Sequence, residues 1–337
     1  MQRLVNDPKN YVDEMLAGIY KAAPEAVGHA GDDLRCYVSK QVKKGKVALI
    51  TGGGSGHLPL FLGYVGPGML DGCGVGGVFQ SPSPDQILAI TKEVSQGAGV
   101  LYIYGNYGGD IMNFGMAKDM ADMEDIEVRE VIAGEDVLSS PKGHEDKRRG
   151  VAGIFYVYKI AGAAADSMLG IDEVERLARK ACANVRTVGM ALTPCIIPEK
   201  GKANFSIEPG KMEIGMGIHG EPGIKVEDLA KADDIVAEMM KPLLEDLPYV
   251  KGDEVSVLIN GLGATPREEL YIVYRKVAEI LEGKGIKVFN NYVGEFATSM
   301  DMAGMSISLF KLDKELKHYL CMPFETPFLS QKQLKED

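Results

Sequence analysis

Two of the five histidines lie in glycine-rich turns that follow apolar segments, where ligand-binding side chains are commonly found. His57 closes the segment GGGSGH at residues 52–57, and His219 lies in GIHGEPG at residues 217–223. A third turn, NYGGD at residues 106–110, ends in Asp110. Ligands of α/β proteins collect at the carboxyl ends of strands, where such turns lie. Each histidine by itself is more often structural, but the three turns together indicate a functional site.

These residue types limit the chemistry of the site. A neutral imidazole can act as a base or as a nucleophile towards a carbonyl carbon. The carboxylate of Asp110 can accept a proton from a substrate hydroxyl. Glycine N–H groups and the Ser55 hydroxyl can hold a sugar oxygen or a phosphate. Two histidines and a carboxylate also suit a metal ion, so a metalloenzyme stays open from composition alone. No E-x-x-H or H-x-x-H spacing supports it, and we assign no metal-binding residue.

The glycine turns match neither common nucleotide-binding pattern. Residues 52–57 contain no G-x-x-x-x-G-K-[ST], and a G-x-G-x-x-G fingerprint would need glycine at His57. A tight turn without a ligand stays an open alternative. The segment SPSPD at residues 81–85 either presents hydroxyl groups or caps the next helix. In NGLGATP, at residues 260–266, Thr265 is predicted to cap a helix.

Composition excludes several classes of function. The 337 residues carry a net charge of −11, whereas nucleic-acid binding needs clustered lysine and arginine, so we predict no nucleic-acid partner. No apolar run reaches the roughly 18 residues that span a bilayer, and the first residues lack the apolar core of a signal peptide. The five cysteines are scattered without a C-x-x-C pair. We therefore expect a cytoplasmic protein with reduced thiols and no membrane association.

Strand, loop and helix alternate along the chain, which predicts an α/β fold. The first set contains strands at 47–50, 99–104 and 126–132 and helices at 111–123, 151–167 and 171–183. From about residue 184 a second set follows, with strands at 187–192, 212–218, 254–259, 286–290 and 306–309 and helices at 226–247 and 266–281. We expect two α/β domains, each a mostly parallel or mixed sheet covered by helices.

Seven motifs, in order over nearly the whole of residues 4–327, resemble the substrate-binding subunit of dihydroxyacetone kinases. They are GGGSGH at 52–57, SPSPD at 81–85, NYGGDIMNF at 106–114, RRGVA at 148–152, GIHGEPG at 217–223, NGLGATP at 260–266 and ATSMDMAG at 297–304. The resemblance implies a homodimer. It also implies a first domain of residues 1–184 that reclaims the C-terminal segment 310–337, and a second domain of residues 185–309 that carries His219.

The resemblance implies a role for each residue of the trio. His219 would attack the ketone carbon and hold the sugar as a covalent hemiaminal. Asp110 would take the proton from the hydroxyl that receives phosphate, and His57 would hydrogen-bond the substrate and assist. The resemblance further implies that the sugar contacts Gly53, Gly54, Ser55, Gly56, Ser81 and Gly105. A polyol would be rejected, because only a carbonyl carbon can be attacked by imidazole.

The same resemblance implies a kinase that works with a partner. This chain is expected to bind dihydroxyacetone or a related short ketose and no cofactor of its own. ADP or ATP with magnesium would be bound by a separate nucleotide-binding subunit, with either a phosphotransferase protein or ATP as phosphate donor. The alternative is a ketose-sensing paralogue that acts as a transcriptional coactivator without kinase activity. Presence of both His57 and Asp110 favours the enzyme, since a sensor needs only the covalent anchor.

Two positions depart from the family pattern and bear on the choice of ketose. Many members carry a lysine just before the N-Y-x-G-D motif, where this chain has Gly105. Leu58 precedes Pro59 where a glutamate is expected. Loss of a charged donor from a substrate loop predicts a different preferred ketose, for example a tetrulose such as erythrulose.

Overall fold

The computed structural model describes residues 3–336, which fold into two compact units. The first unit comprises the described residues up to Ala133, then Tyr156–Ala181, and the residues from Glu315 onward. The second comprises Gly134–Phe155 and Cys182–Lys314. The chain therefore passes from the first unit to the second and back, and then does so a second time.

Sixteen strands and eight α-helices are formed by the described residues. The strands are β1 Val27–His29, β2 Cys36–Ser39, β3 Ala48–Ser55, β4 Gly72–Val78, β5 Val100–Gly105, β6 Val128–Ala133, β7 Val185–Ala191, β8 Ile196–Ile197, β9 Lys202–Ala203, β10 Lys211–Ile214, β11 Lys225–Asp228, β12 Glu254–Gly261, β13 Lys287–Gly294, β14 Gly304–Leu312, β15 Phe324–Glu325 and β16 Ser330–Gln331. The helices are α1 Tyr11–Ala22, α2 Pro84–Val94, α3 Gly108–Asp122, α4 Ile154–Asp166, α5 Ile171–Asn184, α6 Ala232–Asp246, α7 Arg267–Gly283 and α8 Lys314–Cys321.

The first unit is built on a six-stranded mixed sheet of order β1-β2-β4-β3-β5-β6. The last four strands in that order run parallel, and β1 and β2 pair antiparallel at one edge. β5 and the first part of β3, residues 48–50, are buried apolar runs, as is typical of strands covered on both faces. The core between the sheet and its helices includes Ile50, Ile90, Tyr102 and Phe114.

The helix α2 begins at a capping box formed by Ser83 of the 81–85 turn. The Ser83 hydroxyl accepts from the Gln86 backbone N–H, and the Gln86 side chain accepts from the Ser83 N–H. Such a reciprocal pair satisfies two backbone donors that a helix start leaves without partners. Ser83 is therefore a helix cap, and only Ser81 of this turn stays a candidate for substrate contact.

The second unit contains another six-stranded mixed sheet, of order β11-β10-β7-β14-β12-β13. Only β12 and β13 pair in parallel, and the other neighbours are antiparallel. The helices α6 and α7 bury Met239, Leu243 and Val277 in the same apolar core as Val257 and Ile307 of the sheet. Both units are thus sheets covered by helices, as the sequence predicts, with a second sheet that is mostly antiparallel.

Three local predictions are wrong. Residues 52–55 are not a loop, because β3 continues through them and pairs in parallel with β4. Residues 225–228 are not the start of a helix, because they form β11 along β10, and α6 begins only at Ala232. Thr265 does not cap α7: its hydroxyl donates to the Gly304 carbonyl and accepts from the Gly304 N–H.

A buried carboxyl group in the second unit makes stability depend on pH. Glu135 accepts hydrogen bonds from the backbone N–H groups of Val151 (2.8 Å) and Ile154 (3.1 Å). Its second oxygen, Oε2, is buried and has no hydrogen-bond partner within residues 3–336. Burial raises the pKa of Glu135 to about 8, against the opposing effect of the two N–H donors. The folded protein therefore keeps a proton that the unfolded chain releases near pH 4.5.

We expect the free energy of unfolding to fall as the pH rises between about 4.5 and about 8, because the unfolded state binds fewer protons there. Glu135→Gln, which mimics the protonated side chain, should remove on the order of a few kcal/mol of this dependence. Urea unfolding across the pH range measures it, with the exposed Glu282→Gln as matched control. A Glu135→Gln profile parallel to that of the wild type would contradict the assignment.

Candidate functional site

Three adjacent parallel strands of the first unit end at the same edge of the sheet and bring the predicted residues of that unit together. β4 leads into residues 79–81, β3 into residues 56–57, and β5 into residues 106–110. Because carboxyl ends of parallel strands share one edge, side chains that follow them lie close in space. His57, Asp110, Ser81 and the four glycines assigned to the sugar are all at or next to this edge.

His57 is fixed between aromatic rings. Its ring stacks on Phe79 at a centroid distance of 4.8 Å and meets the edge of Phe61 at 6.1 Å. The residue is 1% exposed. Stacking of this kind holds the imidazole plane and leaves its in-plane nitrogens to make hydrogen bonds. His57 is therefore a rigid hydrogen-bonding group at the end of β3.

The glycines before His57 are required by close packing. A Cβ on Gly53 would overlap the Phe61 ring, and a Cβ on Gly54 would lie 2.6 Å from the Gln80 backbone nitrogen. A side chain on Gly54 would push apart β3 and the segment after β4, and one on Gly53 would displace the Phe61 ring. Ser55 is also engaged by the neighbouring strand, since its hydroxyl donates to the Gly76 carbonyl at 2.8 Å. Its oxygen can still accept a hydrogen bond from a ligand.

Asp110 is the third residue of α3, and it is buried. A carboxylate in the first turn of a helix is stabilised by the helix dipole. One turn later, Phe114 stacks on Tyr104 at a centroid distance of 4.3 Å and thereby ties the helix to β5. Asp110 also lies close enough to Cys73 of β4 to add to the rise in pKa that burial causes in this thiol. The packing of α3 thus sets the position of Asp110.

The remaining predicted contacts of the first unit lie at the same strand ends. Ser81 Oγ is 2.7 Å from the position that a Cβ on Gly109 would occupy, so the hydroxyl lies against the start of α3. Gly105 is the buried last residue of β5, opposite Ala133 of β6. Gly56 has a φ of +100°, which allows the backbone to turn out of β3.

His219 belongs to the second unit, in the segment between β10 and β11. Its Nδ1 is 2.8 Å from Glu221 Oε1, and its backbone N–H donates to Glu221 Oε2 at 3.0 Å. The Asn204 amide donates to the His219 carbonyl at 2.8 Å. The imidazole is 24% exposed. Both the backbone and the ring of His219 are therefore held, while part of the ring stays accessible.

The protonation state of Glu221 decides the tautomer of His219. Burial raises the pKa of Glu221, but its interactions with His219 and the charge of Arg149 outweigh this effect and lower the pKa to about 2. An ionised carboxylate can only accept, so His219 Nδ1–H must donate to it. In the neutral imidazole Nε2 is then the nitrogen that carries a lone pair. This is the arrangement that a nucleophilic histidine needs.

Glu221 contacts the candidate nucleophile His219, and the sequence analysis assigns it no role. It belongs to the GIHGEPG motif, but a residue two positions away does not in general face its neighbour. Here the turn between β10 and β11 brings the two side chains together. The glycine content of the motif and the carboxylate close to a candidate nucleophile are the signals in the sequence that indicate such a pair.

None of the helices within residues 3–336 combines the length and the apolar character that spanning a bilayer requires. Across the same residues, no group of three or more histidine, cysteine and carboxylate side chains is arranged to hold a metal ion.

Comparison with known proteins identifies the family. The Dak1 domain matches residues 17–328. The dihydroxyacetone-binding subunit DhaK of PTS-dependent dihydroxyacetone kinase 2 from Listeria innocua is 48% identical over 329 residues, which are 97% of this chain and 99% of the relative.

Solved structures agree with this result. The dihydroxyacetone kinase of C. freundii in its native form superposes with a TM-score of 0.90 at 34% identity, over 98% of this chain and 60% of that one. The dihydroxyacetone kinase operon co-activator Dha-DhaQ superposes with a TM-score of 0.86 at 33% identity, over 92% of this chain and 96% of that one. The chain therefore belongs to the Dak1 domain family of dihydroxyacetone kinase substrate-binding subunits.

Proposed function

We propose that this chain binds dihydroxyacetone or a related short ketose covalently on His219 and presents it for phosphorylation. The observation that carries the proposal is the contact between His219 Nδ1 and Glu221 at 2.8 Å, which leaves Nε2 as the nucleophilic nitrogen. The name of the Listeria relative, a dihydroxyacetone-binding subunit, agrees with this substrate. A polyol such as glycerol has no carbonyl carbon and would be excluded.

The covalent step uses residues of the second unit. The lone pair of His219 Nε2 forms a bond to the ketone carbon, and the electron pair of the C=O bond moves onto the oxygen, which takes a proton from the solvent. The product is a hemiaminal with a positively charged imidazole that still carries its Nδ1 proton. The ionised Glu221 carboxylate accepts the hydrogen bond of that proton, with Oε1 2.8 Å from Nδ1. It would stabilise the positive charge and so favour the adduct.

Phosphoryl transfer would use residues of the first unit. Asp110, at the start of α3, would accept the proton of the sugar hydroxyl as that oxygen attacks phosphorus. His57, held by Phe79 and Phe61, would donate a hydrogen bond to the substrate. The phosphoryl group would come from a nucleotide bound with magnesium on a partner subunit, and the chain would act as a homodimer. The residues that would surround the sugar are Gly53, Gly54, Ser55, Gly56, Ser81 and Gly105.

A kinase assay with a purified nucleotide-binding subunit tests this function. The substrates are dihydroxyacetone, erythrulose and glycerol, each with ATP and, separately, with ADP and a phosphotransferase system. We expect both ketoses to be phosphorylated and glycerol to be inert. Because Gly105 stands where the family resemblance predicts lysine, we expect an altered preference among ketoses, and the ratio of kcat/KM for erythrulose and dihydroxyacetone measures that preference. No phosphorylation of any ketose would overturn the kinase function.

The likeness to the co-activator Dha-DhaQ favours one second candidate, a ketose sensor without kinase activity. A sensor would still form the adduct on His219. NMR of a ketose labelled with ¹³C at its carbonyl detects the adduct as a tetrahedral carbon. If the chain forms this adduct but supports no phosphorylation in the reconstituted assay, it is such a sensor.

A further inference from the structure

One arginine of the second unit reaches the carboxylate that holds His219. Arg149 lies in the segment RRGVA, and its Nη1 is 3.9 Å from Glu221 Oε2. Its neighbour Arg148 makes two hydrogen bonds to Asp246, at 2.9 and 2.7 Å, and is fully buried. The two arginines therefore have different partners, and only Arg149 belongs to the surroundings of His219.

The Arg149 guanidinium is held in place by two further groups. Its Nε and Nη2 donate to Asp136 Oδ2 at 3.0 and 2.8 Å. Nη2 also donates to the Gly215 carbonyl at 2.8 Å. Asp136 is 2% exposed and the Arg149 side chain 13% exposed, so these contacts are largely screened from water. Because Nε and Nη2 of the planar guanidinium are held by these partners, the direction of the third nitrogen, Nη1, is fixed. Nη1 faces Glu221.

Gly217 keeps the space between these charges open. A Cβ at this position would overlap Glu221 Oε2 and would lie 2.5 Å from Arg149 Nη1. Any larger residue would therefore push the carboxylate or the guanidinium away. The backbone of the GIHGEPG turn, the carboxylate and the guanidinium are packed together as one group. Glu221 Oε1 contacts the His219 ring, and Oε2 accepts from the His219 backbone N–H and also faces Arg149 Nη1.

We propose that Arg149 is a positioning residue for His219: it fixes the Glu221 carboxylate so that this group accepts the Nδ1 proton and Nε2 is presented to the ketone carbon. Without Arg149, Glu221 could rotate towards solvent and the imidazole would lose its preference for the Nδ1–H tautomer. The inference rests on the proposed nucleophilic role of His219. It also predicts that His219 is in the Nδ1–H tautomer in the protein without substrate.

The tautomer can be measured directly in the free protein. Protein with ¹⁵N-labelled histidine is studied by NMR at alkaline pH, where the two ring nitrogens of a neutral imidazole have distinct shifts, and His219→Ala assigns the His219 signals. The variants are Arg149→Met, Arg149→Lys and Glu221→Gln. Arg275→Met, which removes an exposed arginine of α7, is the matched control. Thermal unfolding of each variant verifies that it is folded.

We expect His219 to be in the Nδ1–H form in the wild type and in Arg275→Met. In Arg149→Met and Glu221→Gln, the His219 tautomer should shift towards Nε2–H. Arg149→Lys should fall between, because lysine restores the charge but not the planar set of donors. Affinity for dihydroxyacetone should fall about tenfold in Arg149→Met, a loss of the size that follows removal of a group that orients a metal-binding histidine. If Arg149→Met does not fold, Gly217→Ala displaces the same pair of charges and should give the same tautomer shift.

The outcomes separate this inference from the function on which it rests. An unchanged His219 tautomer in folded Arg149→Met, or in folded Gly217→Ala, overturns the positioning role. Dihydroxyacetone labelled with ¹³C at its carbonyl tests the covalent function: no tetrahedral carbon with wild-type protein overturns the adduct, whatever the tautomer. A tautomer shift in Arg149→Met together with weaker adduct formation supports both.

Discussion

Replacing His219 with alanine should abolish the covalent capture of dihydroxyacetone. The adduct requires a nucleophilic nitrogen, and alanine leaves only hydrogen bonds to hold a three-carbon sugar, so affinity should fall by at least about 100-fold. Isothermal titration calorimetry measures the affinity, and NMR of carbonyl-labelled dihydroxyacetone measures the tetrahedral carbon. The signal of the adduct should be absent from the variant and present in the wild type.

The matched control for this variant is His144→Ala. His144 lies in the same unit, is exposed, and is not among the residues proposed to bind the ketose. The control variant should bind ketose like the wild type. Retention of the tetrahedral carbon in folded His219→Ala protein would show that another residue is the nucleophile.

Replacing Asp110 with asparagine should leave ketose binding nearly unchanged and lower the rate of phosphorylation by roughly 10²- to 10⁴-fold, the usual effect of losing a general base. The amide has the size of the carboxylate but cannot accept the hydroxyl proton. The assay is steady-state phosphorylation with the nucleotide-binding subunit, combined with calorimetric binding of the ketose. The loss should be in kcat, because the covalent anchor on His219 is intact.

Asp119→Asn is the control for this change, because Asp119 is an exposed carboxylate on the same helix, α3. It should leave both kcat and binding at wild-type values. The assigned roles divide binding and proton transfer between His219 and Asp110. An equal loss of ketose binding in His219→Ala and Asp110→Asn would contradict that division.

The order of elements in the first unit can be predicted from the sequence to a useful extent, but its glycine-rich strands cannot. The apolar pattern predicts β3 only as far as Ile50, although the strand continues to Ser55, and it does not predict β4, with the sequence GCGVGGV. Glycine has low strand propensity by itself. These segments are strands because they pair with each other, Gly52 opposite Gly74, and such pairing depends on residues far apart in the chain.

In the second unit, the sequence pattern predicts a helix where the structure has a strand. The charged segment before α6 has apolar residues at positions that fit a helix, and this pattern predicts a helix from residue 226. Residues 225–228 instead pair antiparallel with residues 211–214 and extend the sheet. The edge of an existing sheet offers backbone partners to any extended segment that lies along it, and this can override a weak helical pattern.

The sequence alone determined the family, the α/β class and the three residues predicted to do the chemistry, because these depend on short motifs with a fixed order and spacing. Tertiary structure alone decided how Phe79 and Phe61 hold His57, how the packing of Phe114 places the helix that carries Asp110, and how Glu221 lies between His219 and Arg149. It also decided that the segment Gly134–Phe155 joins the second unit. The physical reason is that Asp136, Arg149 and Glu221 are far apart in the chain. Their hydrogen bonds and charge contacts exist only once the chain has folded.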